Sequence, residues 1–250
     1  MSEIAGASQP PVAASKNPFA RIAGVLFAPA ETFEDIRRKP DFVVPLIVIL
    51  LVGYVSLFLL IPHMDLQAMQ QQQREAMQAR GMSQQDIDQQ MKLAGSFGKV
   101  ITYLFPIFGL IWIFIVAGVL FLAFRIMGGD ATFHQALSTV FYSWMPLVIG
   151  GIITTIVVMM RGKVDPTMMG NLVKSHLGIL TDAKGHPVLF ALLSAIDLFN
   201  IWTVVLLTIG FAIMSRFSKM KSAVIVLLMW FLAILLKCGL ATLSTLGKKA

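Results

Sequence analysis

The sequence is poor in charged residues and in cysteine. Charged side chains make up 13% of its 250 residues, about half of the fraction found in ordinary globular domains, and a chain with so little charge is not soluble. The single cysteine, Cys238, excludes an intrachain disulfide and a cysteine-based metal cluster. Glutamate occurs only at positions 3, 31, 34 and 75, so the spans lack the paired glutamates on which one kind of membrane protease is built.

Motifs that carry known chemistry are also missing. There is no phosphate-binding loop, no dinucleotide-binding glycine pattern, no HExxH zinc motif and no GxSxG nucleophile motif. Ser143, Ser194 and the histidines lack the spacing of a catalytic triad, and His176 and His186 lack metal-ligand spacing. The sequence therefore predicts a protein that is not an enzyme, with no catalytic residue, cofactor or metal site. It also shows no inverted repeat of the kind found in many transporters.

Long apolar runs are the main feature that the sequence does contain. Hydrophobic residues make up 57% of the chain, and its mean hydropathy is +0.79. A helix needs about 20 apolar residues to cross the hydrocarbon core of a bilayer. Five stretches are long enough, at 42–62, 100–124, 136–160, 188–214 and 223–242. We predict an all-α, polytopic membrane bundle of five transmembrane helices that occupies residues 42–246.

The excess of positive charge is typical of a membrane protein whose basic residues lie beside lipid headgroups. The net charge is +7, and no basic run is interleaved with aromatic residues, so we expect the lipid bilayer and not nucleic acid as a partner. Lys and Arg are nearly balanced between the two sides. However, Arg37, Arg38 and Lys39 directly precede the first span, which usually decides orientation. We predict a bacterial inner-membrane protein with a cytoplasmic N-terminus and an extracytoplasmic C-terminus.

Two segments precede the first span. Residues 1–17 are rich in Ala, Ser and Pro and predict a disordered tail. Residues 18–41 predict two short interfacial amphipathic helices, because Pro18 and Pro29 suit first helical positions. In the second of these helices the acidic residues come early and the basic ones late, which complements the helix dipole. These helices could form a plain collar on the membrane surface, or they could dock a partner or sense curvature.

Two long connections separate spans. Residues 63–99, rich in Gln and Met, predict a small helical hairpin that is divided at Gly81. This hairpin could pack on the mouth of the bundle or bind a protein partner. In the connection 161–187, Asp165 predicts the start of a short helix that ends near Leu180.

Two charged residues fall inside the predicted spans, where ionisable groups often mark functional sites. Asp197 lies about 13 Å into the fourth span and Lys237 about 7 Å into the fifth, measured from the same side at a rise of about 1.5 Å per residue. We predict a buried Asp197–Lys237 ion pair that fixes the register of the last two helices. Alternatively, Lys237 extends to the interface and Asp197 pairs with Asn200, or an unpaired Asp197 forms a proton or cation site.

Three motifs resemble those of a known family. The first is LFAPAETF at 26–33, and the second is GGDATFHQAL at 128–137, followed by YSWMP at 142–146. The third is DLFNIW at 197–202, with a glycine and a basic connection after it. On these motifs, residues 18–242 resemble the prokaryotic branch of the YIP (Ypt/Rab-interacting protein) domain family. The positions that carry the resemblance are Pro29, Phe33, Gly128, Gly129, Phe133, Ser143, Pro146, Asp197, Trp202 and Gly210.

The resemblance implies a five-span fold with a cytosolic N-terminus and with the C-terminus across the membrane. Eukaryotic members of this family bind prenylated small GTPases and act in early secretory traffic, without a catalytic site. This chain lacks the Asp-Leu-Tyr-Gly-Pro type of segment that those members have before the first span. Binding of a small GTPase is therefore not carried over to it.

Two functions follow from these features. The first is a non-catalytic scaffold or adaptor that organises the membrane, binds other membrane proteins or associates with further copies of itself. The second is a small transporter or channel in which Asp197 lines a polar path, with Ser194, Asn200 and Thr208 near the same helix face. Because Ser and Thr commonly join helices inside membranes, the sequence favours the scaffold.

Overall fold

The computed structural model describes residues 15, 17–165, 172–181 and 185–246. These residues form ten α-helices and no β-strand, which confirms the predicted all-α class. Five of the helical segments are long and apolar enough to cross a membrane, as predicted. The predicted tail lies, apart from residues 15 and 17, outside the described residues. So does 166–171, the first part of the helix predicted after Asp165.

The chain enters the bundle through two short helices, α1 (Pro18–Phe27) and α2 (Pro29–Arg38), each of which begins with a proline. The Asn17 side chain accepts a hydrogen bond of 2.9 Å from the N–H of Phe19 and so caps α1. Phe33 of α2 is fully buried. The hairpin of α1 and α2 is therefore packed onto the bundle and is part of its core.

The second span is continuous with the helical hairpin predicted at residues 63–99. The first span, α3 (Val43–Leu60), is followed by α4 (Leu66–Ala79) and then by α5 (Gln84–Ile126). A turn that includes Gly81, with φ at 75°, joins α4 and α5. The sequence had predicted a separate hairpin helix and a span that begins near residue 100. The helix does not break because no proline interrupts residues 84–105 and most of them favour helix.

The third and fourth predicted spans each contain an interruption. The third consists of α6 (Phe133–Ser143) and α7 (Met145–Arg161), with a proline in the first turn of α7. In place of one helix over 188–214, the structure has α8 (Pro187–Ala195) and α9 (Leu198–Ser215), and only α9 is long enough to span. The backbone at residues 196 and 197 leaves the helical conformation, because a side-chain cap starts a new helix there.

The last span is α10 (Lys219–Leu246), which packs against both α8 and α9. Successive spans run in opposite directions, so α3, α6 and α10 begin at the same end of the bundle as α1 and α2. We call this end the N-terminal face. There the Lys221 ammonium donates a hydrogen bond of 3.0 Å to the carbonyl of Met127, and the rings of Phe124 and Phe211 stack with their centroids 4.5 Å apart. At the opposite end, an isolated bridge joins Met64 to Val164.

Candidate functional site

Asp197 is the cap of α9. Its Oδ1 accepts hydrogen bonds from the N–H groups of Phe199, at 2.9 Å, and Asn200, at 3.1 Å. The first turn of a helix otherwise leaves such N–H groups unpaired. Its Oδ2 accepts a hydrogen bond from the hydroxyl of Ser175. The carboxylate, which belongs to a residue only 9% exposed, therefore has three donors, and its charge lies at the positive end of the helix dipole.

Backbone hydrogen bonds hold Asp197 against the chain segment before α8. The carbonyl of Ser175 accepts a hydrogen bond of 3.1 Å from the N–H of Leu198, and the carbonyl of Ile196 accepts one of 3.1 Å from Leu177. Together they form an isolated antiparallel bridge between His176 and Asp197. Non-helical backbone at membrane depth is stable only where protein groups satisfy it, and these two bonds do so at the break between α8 and α9.

The predicted ion pair between Asp197 and Lys237 is not formed. The Lys237 ammonium donates a hydrogen bond of 3.1 Å to the hydroxyl of Ser194, and the lysine is exposed. Among the described residues, no ion pair includes Asp197 or Lys237. The physical reason is that Asp197 begins a helix, so neutral N–H and O–H donors already surround its carboxylate. The alternative partner Asn200 does contribute, through its backbone N–H.

A cavity of about 360 Å³ adjoins this cap and includes Asp197, Ser175, Gly150 and Thr154 in its lining. A Cβ added to Gly150 would lie 2.9 Å from the ring of Phe199, so α7 and α9 are in close contact at this point. The Thr154 hydroxyl donates to the carbonyl of Gly150 at 2.9 Å. Within the described part of the chain, no three His, Cys, Asp or Glu side chains meet as a metal site would require.

The other polar residues of the predicted path are bound elsewhere in the fold. The Thr208 hydroxyl donates to the carbonyl of Val204 at 2.9 Å, and the Thr208 carbonyl accepts a hydrogen bond of 2.8 Å from Ser222. Ser194 accepts the hydrogen bond from Lys237. These groups stabilise individual helices and helix pairs, as Ser and Thr commonly do in membranes.

The motif residues at the N-terminal face pack helices together. A Cβ on Gly210 of α9 would lie 2.5 Å from Cγ2 of Thr139 and 3.0 Å from the ring of Phe33, so α2, α6 and α9 meet at this glycine. A Cβ on Gly129 would lie 2.9 Å from Cβ of Ser215. Gly128 has φ at 87°, which an L side chain rarely adopts.

The remaining motif residues also have structural places. Pro29 starts α2 and Pro146 lies in the first turn of α7. The ring of Phe133 contacts that of Phe121, edge to face, at 5.5 Å. Ser143 is fully buried at the end of α6, and Trp202 packs against the buried cluster that contains Phe33. The motif residues therefore have structural roles, since they start helices or pack helices together. Asp197 is a motif residue that caps α9.

The sequence did not predict the hydrogen-bond network around Arg21. This arginine is only 1% exposed, and its Nε donates a hydrogen bond of 2.8 Å to Oδ2 of Asp35. Its Nη atoms donate to the carbonyl of Lys39 at 3.0 Å and to the hydroxyl of Ser15 at 2.9 Å. These bonds join α1, α2 and the segment before α3. One signal was present, because Arg21 is the only charged residue in α1.

Replacing Asp197 with alanine is expected to destabilise the protein by about 1–2 kcal/mol, because the helix cap is lost. Asp197→Asn keeps a capping oxygen and is expected to lose less. Lys237→Met tests for an ion pair with Asp197 and should change stability little. Reversible unfolding in mixed detergent micelles measures all three free energies. A loss for Lys237→Met as large as that for Asp197→Ala would contradict this description of the site.

Comparison with known proteins identifies the family. A family model, described as the Yip1 domain, matches residues 23–240. No curated protein and no solved structure matches the chain. The matched residues extend from α1 into α10 and include all the motif positions from Pro29 to Gly210. The chain is therefore a membrane protein that belongs to the Yip1 domain family.

Proposed function

We propose that this protein is a non-catalytic adaptor that holds other membrane proteins through the hairpin of α4 and the first turns of α5. The observation that carries the proposal is the length of α5. Its 43 residues correspond to about 64 Å, whereas the hydrocarbon core is about 30 Å thick. A large part of α5 must therefore project from the bilayer, and α4 packs beside it.

The projecting hairpin is pre-organised. The guanidinium of Arg74 in α4 lies 2.8 Å from the carboxylate of Asp88 in α5, and Ile87 of α5 is fully buried. Ser83 caps α5 by accepting a hydrogen bond of 3.2 Å from the N–H of Asp86. A hairpin that is already ordered loses less conformational entropy when a partner binds.

The hairpin also leaves apolar surface uncovered. α4 has no buried residue, so most of its surface is accessible to a partner. Leu93 and Phe97 of α5 are 52% and 65% exposed. Methionines such as Met69 and Met77 are flexible and suit adaptable protein contacts. Another protein that covers this surface would therefore stabilise the hairpin, which supports an adaptor role.

The contacts of Asp197 support the adaptor over a transporter. A group that conducts ions must exchange its ligands, whereas the Asp197 carboxylate serves as a helix cap and binds Ser175. Ser194 and Thr208 are similarly engaged. We therefore propose no transport path through this site.

Affinity purification in mild detergent tests the adaptor. Photo-reactive side chains are placed in the hairpin, and the protein with an otherwise unchanged sequence is expected to capture membrane proteins. The amount of captured protein should fall at least about fivefold in the double variant Leu93→Gln, Phe97→Gln, since buried apolar contacts dominate such interfaces. The matched control, Phe19→Gln with Phe27→Gln, alters two exposed phenylalanines of α1 and should leave recovery unchanged. Undiminished recovery with the hairpin variant would refute the proposal, as would ion flux in liposomes that Asp197→Asn abolishes.

A further inference from the structure

A second cavity opens at the N-terminal face and has a different lining. Its volume is about 480 Å³, and it lies between α2, the start of α6 and the end of α9. Three arginines contribute to its lining: Arg37 and Arg38 at the end of α2, and Arg216 directly after α9. The cavity is therefore basic on two of its sides.

The position of the cavity relative to the spans determines what it meets. Arg38 ends α2 five residues before α3 begins, Arg216 follows the last residue of α9, and Gln135 lies in the first turn of α6. All three lie at the same end of the bundle, beside the first or last residues of membrane-spanning helices. Side chains at the ends of spans lie at the level of the lipid headgroups. We therefore expect the cavity to lie at the level of the phosphates of the adjacent leaflet, whichever leaflet that is.

Two of the three arginines are available for a ligand. Within the described part of the chain, Arg38 and Arg216 have no ion-pair partner. Arg37 lies 3.9 Å from the carboxylate of Glu34 and is partly exposed, so this contact is weak. Glu34 and Asp130 are the acidic residues in the lining, and the arginines outnumber them.

The backbone of the cavity is fixed. The side-chain amide of Gln135 donates a hydrogen bond of 3.1 Å to the carbonyl of Arg37, which joins α6 to the end of α2. Arg216 has φ at 56° and ψ at 35°, the left-handed conformation, and is the only residue other than glycine with positive φ in the described chain. This backbone conformation fixes the direction of the Cα–Cβ bond of Arg216, which lines the cavity together with the end of α2.

We propose that this cavity binds the phosphate of an anionic phospholipid headgroup. Guanidinium groups match the oxygens of phosphate with paired, charge-assisted hydrogen bonds. Basic pockets between membrane helices are suited to anionic headgroups. Inorganic phosphate has the same chemistry, but the cavity's place at the headgroup level favours the lipid. This binding does not depend on the adaptor role, which uses the other end of the bundle.

Lipid titration of the purified full-length protein tests this site. The probes are short-chain phosphatidylglycerol, short-chain phosphatidylcholine and inorganic phosphate, with binding measured by native mass spectrometry in a neutral detergent. Phosphatidylglycerol is expected to bind most tightly. The double variant Arg38→Gln, Arg216→Gln should bind it at least about tenfold more weakly, because each charge-assisted hydrogen bond contributes appreciably to affinity. Arg80→Gln with Arg161→Gln removes the same charge from the opposite end and should bind like the wild type.

A variant that is expected to raise the affinity distinguishes a change in binding from a failure to fold. Glu34→Gln with Asp130→Asn removes the two acidic groups and should tighten phosphatidylglycerol binding by about threefold, an effect that misfolding cannot produce. Equal affinity of the wild type and the double arginine variant would overturn the proposal, and would leave the arginines as partners of the C-terminal helix dipoles. Inorganic phosphate that binds as tightly as phosphatidylglycerol would also overturn it, in favour of a site for the free ion.

Discussion

Arg21→Ala is expected to destabilise the protein by about 3–5 kcal/mol, which is the usual effect of removing one partner from a buried ion pair. The carboxylate of Asp35 would lose the hydrogen bond of 2.8 Å from Nε, and the carbonyl of Lys39 would lose its donor. Because these bonds join α1 to α2, the loss should also release α1 from the bundle. The free energy of unfolding in mixed micelles and protease cleavage near α1 measure the two effects.

An exposed ion pair of the same length provides the control. Arg74 and Asp88 are also 2.8 Å apart, but both are solvent-exposed, so Arg74→Ala should lose less than about 1 kcal/mol. The double variant Arg21→Met, Asp35→Leu replaces the buried charges with apolar groups and should recover part of the loss. If Arg21→Ala and Arg74→Ala destabilise the protein equally, the buried pair is not what holds α1.

Gly210→Ala is the second substitution with a large expected effect, a loss of about 1–3 kcal/mol from overpacking. The new Cβ would lie 2.5 Å from Cγ2 of Thr139 and 3.0 Å from the ring of Phe33. Neither neighbour is free to move, since Phe33 is fully buried and the Thr139 hydroxyl donates a hydrogen bond of 2.8 Å to the carbonyl of Gln135. Thermal and denaturant unfolding in detergent measure the change.

A glycine with open space around it provides the control that distinguishes the effect of packing from the effect of helix propensity. A Cβ on Gly118, which lies inside α5 two turns before its end, would meet no atom within 4 Å. Gly118→Ala should therefore be neutral or stabilising by about 0.5–1 kcal/mol, because alanine favours helix more than glycine does. The variant Gly210→Ala with Thr139→Ser removes the closest methyl group and should regain part of the loss. A stable Gly210→Ala single variant would show that α2 can shift away from α9.

The sequence was sufficient to predict the helical class and the five spans, because apolar runs of this length have few other structures available to them. It was not sufficient to predict the break before Asp197. Neither proline nor glycine occurs between Val188 and Thr208, so the apolar pattern there is that of one uninterrupted helix. The preference of aspartate for helix caps was the one local signal.

Partners that are distant in the sequence were beyond prediction. Asp197 was expected to need a partner, and one of its donors is Ser175, which lies 22 positions earlier in a connection without a regular pattern. For Arg21 the partner Asp35 lies in the next helix, and their contact depends on how α1 folds back along α2. Periodicity specifies which face of a helix is buried, but it does not specify which other helix that face meets.

The continuity of α5 has a mechanical consequence. Proline at position 106 has no N–H to donate to the carbonyl of Thr102, so we expect this long helix to bend most easily there. A Cβ on Gly53 of α3 would lie 3.3 Å from Cβ of Pro106, so α3 and α5 are in close contact at this point. The hairpin lies on one side of Pro106 along α5. On the other side, near the end of α5, Phe124 stacks on Phe211. A partner that tilts the hairpin on one side of the membrane would move the core on the other side.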